Sequence, residues 1–196
     1  MSDVQAAIRA LFRESAHTKE VFLAEQAGAL EQAIDVVATA LAAEGKVLLF
    51  GNGGSAADAQ HIAGEFVGRF LGERRALPAI ALTTDTSALT AIANDYGYDE
   101  VFARQVRALG RAGDVAIGIS TSGKSPNVLH GIDAARAIGM RTIGLTGGDG
   151  GALTGAVDVS LRVSASPLSP RIQETHILIG HVICELVDRR LFGERA

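Results

Sequence analysis

Apolar residues recur at helical intervals through the first forty positions, then gather into short runs separated by helical stretches. Ile8, Leu11, Phe12 and Ser15 share one face and Leu30, Ile34, Val37 and Leu41 another, at three- and four-residue spacings. Gly28 offers a break between them, so residues 3–43 are expected to form two helices. From Lys46 onward the pattern changes. Residues 47–50, 79–82, 115–119, 142–145 and 157–163 are strand candidates; 55–69, 87–96, 99–109, 126–138 and 171–191 are helix candidates. Strands alternating with helices predict βαβ units and a parallel sheet. Ser125 and Pro126 mark a helix start as N-cap and first helical residue, and Gly139 stands where that helix should be capped. The stretch 164–170, rich in Ser and Pro, reads as a loop into the last helix.

Composition narrows the class. Apolar residues make up 47% of the 196 positions, yet no uninterrupted run approaches the roughly 20 residues of a membrane span. The surplus is assigned to contacts between subunits. Aromatic content of 5% with no Trp leaves a core of Ala, Val, Leu and Ile, which suits a parallel sheet between helices. A net charge of −4 with no basic stripe argues against direct nucleic-acid binding. A single cysteine, Cys184, excludes an internal disulfide and fits a reducing compartment. Residues 1–10 carry no basic segment followed by an apolar one, so a cytoplasmic location is expected.

Chemistry is concentrated in four places. The first is Gly51-Asn52-Gly53-Gly54-Ser55, a turn between a buried strand and a helix N-terminus, the arrangement of an anion site. Gly51, Gly53 and Ala56 also satisfy a loose dinucleotide pattern. The acid that should follow the second strand to hold a ribose is missing about 20 residues on, so a sugar or phosphate is the better guest. The second is Ser120-Thr121-Ser122-Gly123-Lys124-Ser125, with four hydroxyls at the carboxyl end of a strand and the start of a helix. Phosphate monoester is its natural ligand, and the spacing is not that of a Walker loop. The third place is the helix behind the glycine turn, where His61 and Glu65 stand one turn apart. The fourth is the last helix, with Gln173, Glu174, His176 and His181; Gln173 and His181, two turns apart, share a face. A His, Glu, His set supplemented by Gln suits a divalent ion such as zinc, although an amide oxygen is a poor zinc ligand and Gln173 could equally hold a sugar hydroxyl. Asn94 and Asp95 read as a helix end, Arg69 as a surface charge or second phosphate contact, and 147–151 as a flexible glycine turn.

Four blocks together, 51–65, 92–95, 120–125 and 171–181, resemble the phosphoheptose isomerase family of the sugar-isomerase (SIS) domain superfamily. The resemblance runs over nearly the whole chain. It implies a three-layer αβα, flavodoxin-like domain with a five-stranded parallel sheet over residues 44–196. It adds an N-terminal helical segment, 1–43, used in assembly, and a homotetramer with active sites between subunits. It implies one zinc ion per subunit at His61, Glu65, Gln173 and His181. Substrate contacts would come from Asn52, Gly53, Gly54, Ser55, Glu65, Arg69, Asn94, Asp95, Ser120, Thr121, Ser122, Ser125 and Gln173. The implied reaction converts D-sedoheptulose 7-phosphate to D-glycero-D-manno-heptose 7-phosphate through an enediol, with Glu65 as base and His181 as acid. Its product would feed nucleotide-activated heptose synthesis for lipopolysaccharide, capsule or other glycans. Two non-catalytic alternatives share the fold: a sugar-phosphate sensor, and the SIS protein that binds the bacterial replication initiator. The latter lacks counterparts of Glu65 and His181, and both are present here.

Overall fold

In the computed structural model, which describes residues 2–193, residues 3–42 form one helix rather than two. Helix α1 runs Asp3–Ala42 without interruption, capped by the Ser2 hydroxyl on the Gln5 N–H. An interior glycine costs a helix about 1 kcal/mol relative to alanine, too little to break it where neighbouring turns are anchored. Leu30, Ala33, Ile34, Val37 and Leu41 supply that anchorage.

Five strands follow: β1 (Val47–Gly51), β2 (Ala79–Ala81), β3 (Val115–Ser120), β4 (Arg141–Gly147) and β5 (Val159–Val163). All pair in parallel in the order β2-β1-β3-β4-β5. Between them run α2 (Gly54–Val67), α3 (Thr86–Tyr96), a 3-10 turn (Tyr98–Glu100), α4 (Val101–Leu109), α5 (Pro126–Ala137) and α6 (Gly151–Ala156), and α7 (Ser169–Phe192) closes the chain. The parallel sheet is as the alternation predicted, and the three-layer flavodoxin-like arrangement is as the resemblance implied.

Alternate residues of the strands feed two cores. Val47, Leu49, Ile117 and Leu145 pack with α1, α2 and α7 through Ile34, Ile62, Phe66 and Ile183. Leu48, Phe50 and Ala116 pack on the other face with α4 and α5 through Phe102, Val106, Val128 and Ile132. The second half of α1 is thus part of the layer covering the sheet, while Val4, Ile8, Leu11 and Phe12 in its first half stay exposed.

Two local readings are corrected. The strand expected from 157 begins at Val159, because residues 151–156 form α6, whose Leu153 is fully buried. Ser125 is the N-cap of α5 by position, but its hydroxyl makes no capping bond and turns to Ser120 instead. Gly139, at φ +81°, does end α5 as expected, with the Met140 N–H returning to the Ala135 carbonyl.

Candidate active site

Strand β1 sends the chain to β2 on one side, and β3 lies on its other side. A crevice therefore opens beyond the carboxyl ends of β1 and β3, where open parallel sheets bind ligands. The glycine turn and the serine loop both sit there, since Gly51 pairs in register with Ile119 and Ser120 ends β3.

In the glycine turn, Gly53 adopts φ 56° and ψ −121°, a conformation open only to glycine. The N–H groups of Ser55 and Ala56 return to the carbonyls of Asn52 and Gly53, so the turn directs the N-terminus of α2 outward. The Gln173 side-chain amide lies against Gly54, where a Cβ would come within 2.5 Å of Nε2.

The serine loop gathers its hydroxyls. Ser120 Oγ lies 3.0 Å from Ser125 Oγ and 3.5 Å from Ser122 Oγ, and the Lys124 N–H donates to Ser122 Oγ at 3.2 Å. Ser120 is buried beneath them and Ser122 is exposed. Three hydroxyls at the start of a twelve-residue helix are a donor set suited to a dianion. The segment 147–151 is not the loose turn expected. Gly123 packs so closely on Gly150 that a Cβ there would sit 1.9 Å from the Gly150 carbonyl oxygen, and the Leu153 N–H bonds the Gly123 carbonyl at 3.0 Å.

A second cluster lies down α2. Helices α2 and α7 run side by side in the same direction, with Gly54 against Gln173 and Ile62 against Gly180. His61 Nε2 is 3.0 Å from His181 Nε2 and 3.2 Å from Glu65 Oε1. One ligand atom from each of the three lies within 4.8 Å of the others. Donors about 2.0–2.2 Å from a tetrahedral ion stand a little over 3 Å apart, so this set fits zinc and leaves a coordination position open. Arg74 fixes the helix pair: it bonds the carbonyls of Glu65, Phe66 and Gly68 at the end of α2 and pairs with Asp188 of α7 at 2.9 Å.

Gln173 precedes His181 by two turns, a rise of about 12 Å, so within the protomer it joins the glycine turn rather than the three-donor cluster. Arg69, beyond the end of α2, pairs with Glu73 at 3.2 Å and makes no bond to the serine loop among the described residues. Asn94 bonds Asp95 at 2.8 Å in the last turn of α3, and neither bonds to either loop among the described residues. Thr121 is half-buried beside Ser120.

Asn127, Tyr98 and Asp58 were not among the sequence candidates, whereas His176 was. Asn127 and Tyr98 both bond Asn52. Asp58, one turn before His61, has a buried Oδ2 without a partner; burial raises its pKa and the His61 charge opposes this. Its place on the face shared with His61 was the available signal. His176 is fully buried with its Nε2 3.1 Å from the Thr146 carbonyl, at the root of the 147–151 segment.

Burial lowers the His176 pKa to about 4, against the opposing pull of that carbonyl. The unfolded chain, titrating near 6.5, takes up the proton first as pH falls. Stability is therefore complete above about pH 6.5 and lost between there and about pH 4, at up to about 1.4 kcal/mol per pH unit. His176→Gln, which keeps a donor for Thr146, flattens this slope in urea melts across the range. Equal slopes in the two proteins would remove His176 as the cause.

The SIS domain family matches residues 11–147. The phosphoheptose isomerase of Desulfovibrio desulfuricans is 57% identical over 185 residues, covering 94% of this chain and 88% of the relative. The solved phosphoheptose isomerase of Neisseria gonorrhoeae superposes with a TM-score of 0.88 at 49% identity, covering 94% of this chain and 98% of its own. That of Francisella tularensis gives 0.90 at 40% identity over 96% and 100%.

Proposed function

Since the chain belongs to the SIS domain family and, within it, to the phosphoheptose isomerases, we propose that it converts D-sedoheptulose 7-phosphate to D-glycero-D-manno-heptose 7-phosphate. The observation that carries this reading is one chain holding both a hydroxyl-lined anion loop and the His61, Glu65, His181 cluster. An aldose–ketose isomerase needs both: an anchor for the remote phosphate and groups that move a proton between C1 and C2.

Glu65 removes the carbon-bound proton and returns it to the neighbouring carbon. Its Oε1 faces His61, which leaves Oε2 for the substrate. His181 exchanges the proton on the C1 and C2 oxygens as the enediol forms and collapses. Ser120, Ser122 and Ser125 hold the phosphate, and the glycine turn with Gln173 holds sugar hydroxyls, so that binding energy orients the reacting end. One zinc ion per subunit would be held by His61, Glu65 and His181; when bound it supplies Lewis-acid polarisation of the sugar oxygens.

The active sites are proposed to lie between subunits of a homotetramer. Glu65 is eleven residues along α2 from Gly54, a rise of about 16 Å that exceeds an extended seven-carbon chain. The serine loop of one subunit therefore serves the Glu65 and His181 of another, which also gives Arg69, Asn94 and Asp95 a partner to face. The exposed Val4, Ile8, Leu11, Phe12 and Leu23 of α1 supply apolar surface for such an assembly. No helix among the described residues is long and apolar enough to cross a membrane. The lone thiol supports a cytoplasmic site of action in nucleotide-activated heptose synthesis.

An NMR time course with sedoheptulose 7-phosphate, run with metal analysis and pentose and hexose phosphates, tests the assignment. Appearance of the aldose supports it; saturable binding without turnover points to a sensor instead. Ser122→Ala should raise KM for the sugar phosphate about tenfold, the scale of one hydrogen bond to a charged group, with kcat little changed. Free sedoheptulose should be much less affected. Equal losses on the two substrates would remove the phosphate role.

A further inference from the structure

We propose that Asn127 is a positioning residue for this isomerisation, acting through Asn52 to hold the glycine turn in register with the serine loop. The proposal rests on the isomerase reading above. Asn127 stands in the first turn of α5, directly after the serine loop and Pro126, and only 2% of it is exposed. It lies among apolar neighbours, with Val128, Ile132 and Ala135 facing the core. A buried amide there must find partners, and Asn52 provides both. Asn52 Nδ2 donates to Asn127 Oδ1 at 2.9 Å, and Asn127 Nδ2 donates to Asn52 Oδ1 at 2.9 Å.

This reciprocal pair fixes the orientation of both amides, because neither can flip without setting donor against donor. It is the side-chain link between the turn after β1 and the helix after β3. Tyr98, from the turn after α3, adds a third bond with its hydroxyl 3.2 Å from Asn52 Oδ1. Both acceptor positions of Oδ1 are then used, and the Asn52 side chain has one N–H left for a ligand. The adjoining Gly53 and Gly54 contribute backbone, so the direction of their N–H groups follows from how Asn52 is held. Packing of α5 on the sheet does not require the amide, because Gly131 already meets Phe50 and Ile132 lies in the same core. The pair therefore sets the distance and angle between the two ligand loops.

A double-mutant cycle tests this. Asn52→Ala and Asn127→Ala should each lower kcat/KM for sedoheptulose 7-phosphate roughly 10- to 100-fold, the scale of a small misplacement of bound substrate. If Asn127 acts through Asn52, the double variant falls within about threefold of the weaker single. Multiplying losses would overturn the proposal. Hydrogen exchange gives a readout independent of turnover: in Asn127→Ala, amides of residues 52–55 should exchange faster while α7 is unchanged. Unchanged exchange in the turn also overturns it. Should Asn127→Ala not fold, Asn127→Asp takes its place, since a carboxylate accepts from Asn52 but cannot donate to Oδ1. A wild-type protein that does not isomerise the substrate removes the isomerase reading, and the exchange result still decides whether Asn127 holds the turn.

Discussion

Replacing Glu65 with Gln should lower kcat for sedoheptulose 7-phosphate by at least roughly 100-fold, the loss expected when a general base is removed. The substitution keeps the shape of the side chain and removes its charge. Its structural cost is small, because the His61 pair is half exposed on one side and bonds of that kind contribute at most about 1 kcal/mol. Thermal unfolding should therefore be nearly unchanged while turnover collapses. The same variant separates two roles of the carboxylate. If Glu65 were only an ion ligand, excess zinc would restore much of the rate as the site refilled. If it moves the proton, the rate stays low at full occupancy, measured as metal per subunit. His181→Gln should give a loss of similar size. Wild-type turnover in either variant would end the assignment of that residue.

The sheet was readable because strands buried on both faces appear as plain apolar runs, and β1 and most of β3 do so. The pair His61 and Glu65 was readable because one helical turn brings them together whatever else the chain does. His181 is different. Nothing local joins it to His61; the parallel packing of α2 and α7, with Gly180 giving Ile62 room, does that. Helix α6 escaped notice because its glycine-rich sequence has low helical propensity, which the burial of Leu153 and its bond to Gly123 override. Gln173 shows the limit of reading faces alone. Two turns share a face but stand about 12 Å apart, so the same spacing that suggested one ion separates the residues within a protomer. Asn52 and Asn127 are 75 residues apart, and only the adjacency of β1 and β3 makes them partners.

The tight seat of the serine loop leads to the second large effect, Gly123→Ala. At φ +63° an alanine is strained by about 1–2 kcal/mol before any contact is considered. Its Cβ would also meet the Gly150 carbonyl oxygen at 1.9 Å and Thr146 Oγ1 at 2.7 Å. The Gly150 atoms are backbone, and on Gly151 beside them a Cβ would likewise come within 2.6 Å of the carbonyl oxygens of Ser122 and Gly123. Movement on one side strains the Gly123 N–H bond to the Ser120 carbonyl at 2.9 Å, and movement on the other strains the Gly150 N–H bond to the Gly147 carbonyl at 2.9 Å. Overpacking of this kind adds about 1–3 kcal/mol, so with the backbone strain the melting temperature should fall by about 4–20 °C for a chain of this size. The functional loss goes further than the stability loss. Ser120 and Ser122 lie on one side of Gly123 and Ser125 on the other, so displacement separates hydroxyls that now converge. KM for the sugar phosphate should rise more than in Ser122→Ala, which removes one donor and leaves the frame. A Gly123→Ala protein with the wild-type melting temperature and KM would show that the anion loop is not held by its neighbour.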